Sequence, residues 1–266
     1  MTAPTSGLLL DIGHATLTTA ELVRDKPLWA VPAQQPSGTA AAGMARRGFD
    51  VAPVTELPIM RYVLREELEQ GDDLPVHQFS RPIADADRIA EDEPLGHALE
   101  LLQERPFVFV VHRQHTTGIV TRADLEQPII GLLVFGLVLS FEAAVDALLA
   151  DFDEEDWLSS LSDERRQRVH DLHDERRQAN ADLDVLRSLN LDDRLSAARK
   201  MGLHQTFGFT SKTAFKKWGE QIKGIRDALA HGNTLLSAMP DPIAALALLR
   251  ELRETTTRAG SSQSSK

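Results

Sequence analysis

The stretch GIVTRADL, residues 118–125, decides the fold of the first half of the chain. Its apolar and β-branched residues predict a strand over 118–122, and the letters ADL that follow predict the start of a helix. On the N-terminal side, PLGHALELLQER (94–105) predicts a helix and PFVFVVH (106–112) predicts a strand, with a turn at 113–117. This part of the chain therefore alternates short strands with helices.

The same order occurs about 57 residues earlier, where RYVLREEL (61–68) corresponds to GIVTRADL. The elements predicted there are, in chain order, a strand at 28–33, a helix at 37–48, strands at 52–56 and 59–64, and a helix at 65–71. A leading helix is predicted within residues 8–25. Two β-α-β-β-α modules, each with an apolar sheet face, favour a pair of sheets packed against each other.

GIVTRADL resembles the end of a CBS domain, in which a glycine, two apolar residues, a Thr or Ser and two variable residues precede an Asp. The resemblance covers roughly residues 25–127 and implies a CBS-domain pair, whose cleft commonly holds an adenine nucleotide such as AMP, ADP or ATP. It implies that Thr121 faces the phosphate and that Asp124 accepts hydrogen bonds from the ribose hydroxyls. Gly118 completes this ligand-binding set.

The first copy departs from the pattern. Arg61 stands where the family has glycine, Leu64 where it has Thr or Ser, and Glu67 where it has Asp. The Leu64 side chain cannot hydrogen-bond a phosphate, so we expect one of the two possible nucleotide sites to be lost or altered. The alternative is that both modules are a packing and dimerisation scaffold without a ligand, and the sequence leaves both interpretations open.

After residue 127 the strand patterns end and helical patterns continue to the C-terminus. The predicted helices span about 131–152, 162–180, 184–200, 211–231 and 241–257. Ser162, Ser211 and Asp241 stand where N-caps are expected, and Gly232 follows the fourth helix as a C-terminal cap. The second half is therefore predicted to be a helical bundle around the apolar segment LLVFGLVLSF.

This bundle resembles a HEPN domain, whose signature is an Arg followed four to six residues later by a His. Here the motif is RDALAH, Arg226–His231. The resemblance implies a metal-independent endoribonuclease in which His231 exchanges protons with the ribose 2′-OH and the leaving 5′-oxygen. It also implies that Arg226 stabilises the charge that develops on the phosphate. Asp227 is the expected orienting neighbour.

Helical geometry restricts this proposal, because five residues of ideal helix place Arg226 and His231 about 140° apart. A shared cleft then requires the helix to end at His231, or a homodimer that brings two motifs together, as the family usually does. Four lysines of the same helix are candidates for binding an RNA backbone: Lys212, Lys216, Lys217 and Lys223. The alternatives are that these lysines are a solvated face, and that the bundle only mediates dimerisation or binds a partner or RNA.

Composition limits the possible functions. The formal net charge of −11 argues against a general nucleic-acid coat, although residues 199–226 are locally basic. The chain has no cysteine, which excludes disulfides and cysteine nucleophiles and fits a reducing cytosol. The apolar run 128–141 is shorter than the ~20 residues that span a bilayer, so we expect a core helix and no membrane partner. The N-terminus lacks the basic region of a signal peptide.

The sequence therefore predicts a cytoplasmic α+β homodimer with a CBS-domain pair over 1–127, a HEPN-like all-α bundle over 128–258 and a disordered tail at 259–266. The predicted function is an adenine-nucleotide sensor that controls an endoribonuclease; the alternative is a non-catalytic sensor. No cofactor is expected to be required, and an adenine nucleotide is the expected regulatory ligand. No metal site is predicted, because His112 and His115 lack a visible third ligand, and because His170 and His173, although Asp171 and Asp174 are near, lie on a highly charged helix whose solvated face they are expected to join.

Overall fold

The computed structural model describes residues 17–71, 73–179 and 184–263, with side chains to residue 261. The described chain divides into two compact units, Leu17–Asp124 and a second that starts at Leu125. The first unit contains strands and helices and the second is all-helical, as the α+β assignment predicts.

The first unit contains two copies of a β-α-β-β-α order, which confirms the predicted repeat. Its elements are, in chain order, α1 (Ala20–Val23), β1 (Val31–Pro32), α2 (Ser37–Ala45), β2 (Val51–Thr55), β3 (Arg61–Leu64), α3 (Arg65–Glu69), β4 (Arg81–Pro82), β5 (Arg88–Ala90), α4 (Leu95–Glu104), β6 (Phe107–His112), β7 (His115–Thr121) and a 3₁₀ turn (Arg122–Glu126) that runs into the second unit. The last helix of the second copy is thus a 3₁₀ turn within this unit.

The strands form two small sheets. One has the order β1-β2-β3-β4 and the other the order β5-β6-β7. In each sheet the first strand runs parallel to the second, and the second runs antiparallel to the third. A crossover helix, α2 or α4, makes each parallel connection, as a parallel pair requires.

The apolar faces of the two sheets pack against each other, as predicted. Phe109 of β6 is fully buried, and its ring centroid lies 5.2 Å from that of Tyr62 on β3. Phe107 lies 5.8 Å from the same tyrosine. Val51 and Ile83 complete the buried layer. Neither sheet covers this face with its own helix, so the two modules stabilise each other.

Two local predictions in this unit differ from the structure. The predicted turn at 113–117 is shorter, because β7 already begins at His115 and Arg113 reverses the chain with a φ of 55°. Half of the predicted leading helix, residues 8–16, lies outside the described residues, and in the other half, residues 17–25, the α-helix is α1 alone.

The second unit is built from helices alone. They are α5 (Pro128–Leu149), α6 (Glu154–Leu158), α7 (Asp163–Gln178), a 3₁₀ turn (Val185–Ser188), α8 (Leu191–Lys200), α9 (Lys212–Ala230), α10 (Leu235–Ala238) and α11 (Pro242–Gln263). Ser162 and Ser211 cap α7 and α9 by accepting from the N–H three residues on, as predicted. Asp241 accepts from the N–H of Ile243 at the start of α11.

Two helix predictions in this unit were wrong. The single helix expected at 184–200 is divided, because Asn190 and Asp193 form a reciprocal capping box that starts a new helix at Leu191. The last helix does not end near 257, and it continues through the first part of the predicted disordered tail to Gln263. Residues 264–266 lie outside the described residues.

Helix α5 is central to the second unit and contacts α8, α9 and α11. It is 22 residues long with a mean hydropathy of 2.2, so by length and composition it qualifies as a membrane span. Half of that apolar window is buried within the protein. Leu132 and Leu139 are the most exposed of its large apolar side chains, at 62% and 47%.

Two acids of α5 bind one buried arginine of α8. The guanidinium of Arg194 donates from Nε to Asp146 Oδ1 at 2.7 Å and from Nη2 to Oδ2 at 2.9 Å. Glu142 lies 3.5 Å from the same guanidinium. Burial raises the pKa of both carboxyl groups, and the arginine opposes this shift. The ion pair therefore fixes the position of α8 on an otherwise apolar helix.

We predict that Arg194→Ala lowers the free energy of unfolding by about 3–5 kcal/mol, because it leaves the buried carboxylate of Asp146 without its cation. The measurement is urea unfolding followed by tryptophan fluorescence. Arg168→Ala is the matched control. It removes an exposed pair with Glu164 at 3.8 Å and should change the free energy by less than about 1 kcal/mol. Equal losses in the two variants would contradict the assignment.

Candidate functional site

Thr121 and Asp124 lie together at the end of β7. Asp124 is in the 3₁₀ turn that follows the strand and is only 6% exposed. Its Oδ2 atom accepts the backbone N–H of Thr121 at 2.7 Å and lies 3.3 Å from the Thr121 hydroxyl. The structure thus brings the two predicted ligand-binding residues into direct contact.

A third residue, which the sequence analysis did not include, completes this cluster. The ammonium of Lys26, in the segment before β1, forms an ion pair with Asp124 Oδ1. Its side chain is 45% exposed, and partial burial lowers the pKa of its amine. The cluster therefore joins the entry to the first module with the end of the second.

Gly118 lies in the middle of β7 and makes a packing contact. A Cβ atom at this position would lie 2.4 Å from Cγ1 of Val23, which is well inside van der Waals contact. The glycine thus permits α1 to lie directly on the strand that ends at Thr121. By allowing this close packing, Gly118 supports the strand that carries the Thr121–Asp124 cluster.

In the first module, Arg61 and Glu67 stand at the positions of Gly118 and Asp124, and each contacts another polar residue. Arg61 donates from Nε to the hydroxyl of Ser80 at 2.8 Å and also contacts the Ser80 carbonyl. Glu67 forms an ion pair with Arg81 of β4. Because Leu64 offers no hydroxyl, this module lacks the polar group that Thr121 provides.

Arg226 and Asp227 lie in a cleft of the second unit. A cavity of about 240 Å³ is lined by the start of α8 and the last turns of α9: Asn190, Leu191, Asp192, Lys223, Arg226 and Asp227. Arg226 Nη1 lies 2.8 Å from Asp227 Oδ1. Its positive charge also lowers the pKa of Glu142, against the effect of burial. The cleft therefore carries both signs of charge.

His231 does not line this cavity. It is exposed at the end of α9, where Gly232 adopts a φ of 79°. The N–H of Asn233 bonds to the carbonyl of Ala228, and that of Gly232 to the carbonyl of Leu229. This pair of bonds is a Schellman motif, which ends the helix at His231 as the sequence predicts. Arg226 therefore lines the cavity, whereas His231 is exposed at the helix end and does not.

The four predicted RNA-binding lysines do not form one surface. By helical periodicity, Lys212, Lys216 and Lys223 share one face of α9, and Lys217 lies about 100° from Lys216. Two of them have acidic neighbours. Lys216 lies 3.6 Å from Glu220, and Lys223 lies 3.3 Å from Asp192. The positive field of this face is therefore weaker than the sequence indicates.

The remaining histidines belong to other local structures. His112 pairs with Glu91 at 2.5 Å, and His115 begins β7. His170 and His173 lie on the charged helix α7. Among the residues that the structure describes, no three His, Asp or Glu side chains are grouped to hold a metal ion.

Comparison with known proteins gives similarity only at the level of solved structures. No protein-family model matches the sequence. No curated protein matches it either. A CBS-domain protein of Pyrobaculum aerophilum, in complex with AMP, is 18% identical with a TM-score of 0.37, covering 44% of this chain and 98% of that one.

Two other structures are similar to the same degree. The CBS domain of a bacterial CNNM/CorC-family Mg²⁺ transporter, in complex with ATP, is 17% identical with a TM-score of 0.36, covering 48% of this chain and 94% of that chain. A CBS-domain protein of Bacillus anthracis is 17% identical with a TM-score of 0.38, covering 45% and 94%. Each likeness covers less than half of this chain and assigns neither a family nor a ligand to it.

The sequence does contain a signal for the residues that were missed. Lys26 stands five residues before β1 and Arg81 seven residues before β5, and each is a basic residue paired with the acid at the end of a module. Their positions differ by close to the 57-residue repeat. An alignment of the repeat that includes the residues before each module identifies both Lys26 and Arg81 as candidates.

We predict that Gly118→Ala destabilises the protein by about 1–3 kcal/mol, because the added methyl group meets Val23. Thermal unfolding measures the effect, and adding Val23→Ala should recover part of it. Gly224→Ala is the control, since a Cβ atom there meets nothing within 4 Å on helix α9. It should leave stability unchanged or raise it by about 1 kcal/mol. A tolerated alanine at position 118 would contradict the packing role.

Proposed function

We propose that the first unit binds an adenine nucleotide at Thr121 and Asp124 and that this binding regulates the helical unit. The observation that carries the proposal is the difference between the two modules. The second module keeps a threonine and a buried aspartate in contact at the end of β7. The first has Leu64 and Glu67 at these positions, and its Glu67 forms an ion pair with Arg81.

The chemistry of the second module suits a ribose and a phosphate. An ionised carboxylate only accepts hydrogen bonds, so Asp124 can take both hydroxyls of a ribose diol. The Thr121 hydroxyl and a nearby cation, Lys26, can serve the phosphate. The turn that carries Asp124 continues directly into α5, which gives a covalent route from the nucleotide site to the helical unit.

We predict that AMP or ATP binds the wild-type protein in isothermal titration calorimetry. Asp124→Asn should weaken the affinity about tenfold or more, because the amide offers only one acceptor oxygen and no charge. Glu67→Gln is the matched control, since it removes the corresponding ion pair of the first module. Thermal unfolding of both variants separates binding from stability. A weaker affinity in Glu67→Gln and an unchanged one in Asp124→Asn would reverse the assignment.

A second function is proposed for the helical unit: metal-independent cleavage of RNA by a homodimer. The observation that favours it is the exposure of His231. The Schellman motif ends α9 at this residue and presents the imidazole to solvent, and the described residues give it no side-chain hydrogen bond. An exposed imidazole can act as general acid or base.

The position of the two side chains in one copy supports the proposed homodimer. Arg226 lies in the cleft beside α8, whereas His231 lies outside it. A second copy can therefore supply the missing partner, with the Arg226 of one chain and the His231 of the other on one phosphate. Asp227 holds the arginine, and Lys212, Lys216 and Lys223 offer contacts to neighbouring phosphates.

We predict RNA cleavage in the presence of EDTA, and a loss of about a hundredfold or more in rate for His231→Ala, because the general acid–base group is removed. The assay uses a labelled RNA, with oligomeric state measured by light scattering at the same concentration. His115→Ala, an exposed histidine of the first unit, should retain full activity. Equal cleavage by wild type and His231→Ala, or a monomeric active species, would refute this function.

A further inference from the structure

Two ion pairs each join the acid at the end of a module to a basic residue of the segment that precedes a module. Lys26, before the first strand of the first module, pairs with Asp124 at the end of the second. Arg81, before the first strand of the second module, pairs with Glu67 at the end of the first. The two acids stand at corresponding positions of the repeat, so this arrangement has an approximate two-fold relation.

The two pairs differ in how firmly the cation is held. In the first module the arginines are permanently charged, and a second guanidinium, that of Arg61, is anchored on Ser80. In the second module the cation is a single ammonium on a flexible stem, whereas the exposure of the two cations is similar, 45% for Lys26 and 52% for Arg81. Because an ammonium lacks the rigid two-donor fork of a guanidinium, Lys26 is the more readily exchanged of the two.

The lysine competes directly with a ribose. One oxygen of Asp124 is engaged by Thr121, and the other contacts the Lys26 ammonium. A ribose diol that binds this carboxylate must displace the ammonium from Oδ1. When neutral hydroxyls replace the ammonium, the negative charge of the buried Asp124 carboxylate loses this cation. The displaced ammonium then needs another anion.

We propose that Lys26 controls both the entry of the ribose and the preference for a phosphate at the nucleotide site, and we call this role the gate. Lys26 leaves Asp124 when a ribose enters and then pairs with the phosphate. The inference rests on the proposed nucleotide binding and adds its selectivity. A nucleoside displaces the lysine and gives it no partner. A nucleotide displaces it and supplies one, so the site prefers nucleotides to nucleosides.

The test compares adenosine with AMP on wild type and Lys26→Met by titration calorimetry. The variant keeps the length of the side chain and removes its charge. Adenosine should bind about fivefold to tenfold more tightly to Lys26→Met, because its competitor is gone. The affinity for AMP should change less than about twofold or fall, since the phosphate loses its cation. The preference for AMP over adenosine should therefore drop about fivefold or more.

Two further variants serve as controls. Lys26→Arg keeps the ion pair and the fold, and should bind adenosine more weakly than wild type because an arginine holds the carboxylate with two donors. Arg81→Met removes the corresponding cation of the first module and should leave both affinities unchanged. Thermal unfolding of all three variants shows that they are folded.

The outcomes separate the gate from the function on which it rests. If wild type binds AMP but Lys26→Met keeps the same preference over adenosine, the gate is refuted and the nucleotide site remains. If Arg81→Met changes the preference as much as Lys26→Met, the effect is not specific to Asp124 and the gate is again refuted. If neither wild type nor folded Lys26→Met binds AMP, the nucleotide function fails and the gate fails with it.

Discussion

Each of the two small sheets in the first unit has one face that its own crossover helix leaves uncovered, and the modules can bury these faces only against each other. Tyr62, Phe107 and Phe109 form the centre of this contact. Burial of large apolar side chains is the main stabilising contribution in such a unit. The pairing also determines which side chains meet at the ends of the strands, because the segments that contain Lys26 and Arg81 then lie next to Asp124 and Glu67.

The same physical element, a carboxylate next to a cation, has two different roles in the two units. Arg194 holds Asp146 with two donors in a buried setting, and its charge is permanent. Lys26 holds Asp124 with one partly exposed ammonium. The first arrangement fixes a helix in place. In the second arrangement a ligand can replace the lysine with a small loss of free energy, which is the property that a binding site requires.

The sequence predicted the elements of the first unit because their signals are local. Alternating apolar residues and the repeated GIVTRADL pattern determine its strands and their order, and in the second unit the cap residues Ser162, Ser211 and Gly232 determine helix ends. The division of 184–200 was missed because Asn190 and Asp193 act as a pair, and the pattern of apolar residues continues across them.

The candidate sites were less predictable, since they depend on contacts between distant residues. The sequence predicted that Thr121 lies close to Asp124, because Asp124 is only three positions further along the chain. It also predicted that Arg226 lies near the end of a helix. It did not indicate that Lys26 reaches Asp124, nor that Arg226 turns towards α8 while His231 faces solvent. These facts depend on tertiary packing and on the direction of side chains, which helical periodicity alone does not determine.

The order in which α5 and the helices that cover it are synthesised affects folding on the ribosome. The first unit ends at Asp124 and can fold as soon as it has emerged, because domains fold as units during translation. Helix α5 is made next, and Asp146 precedes Arg194 by 48 residues. Helices α9 and α11, which cover its apolar sides, follow later still. During this interval the nascent chain carries an apolar helix without its cover, so this helix is where a chaperone would engage the growing protein.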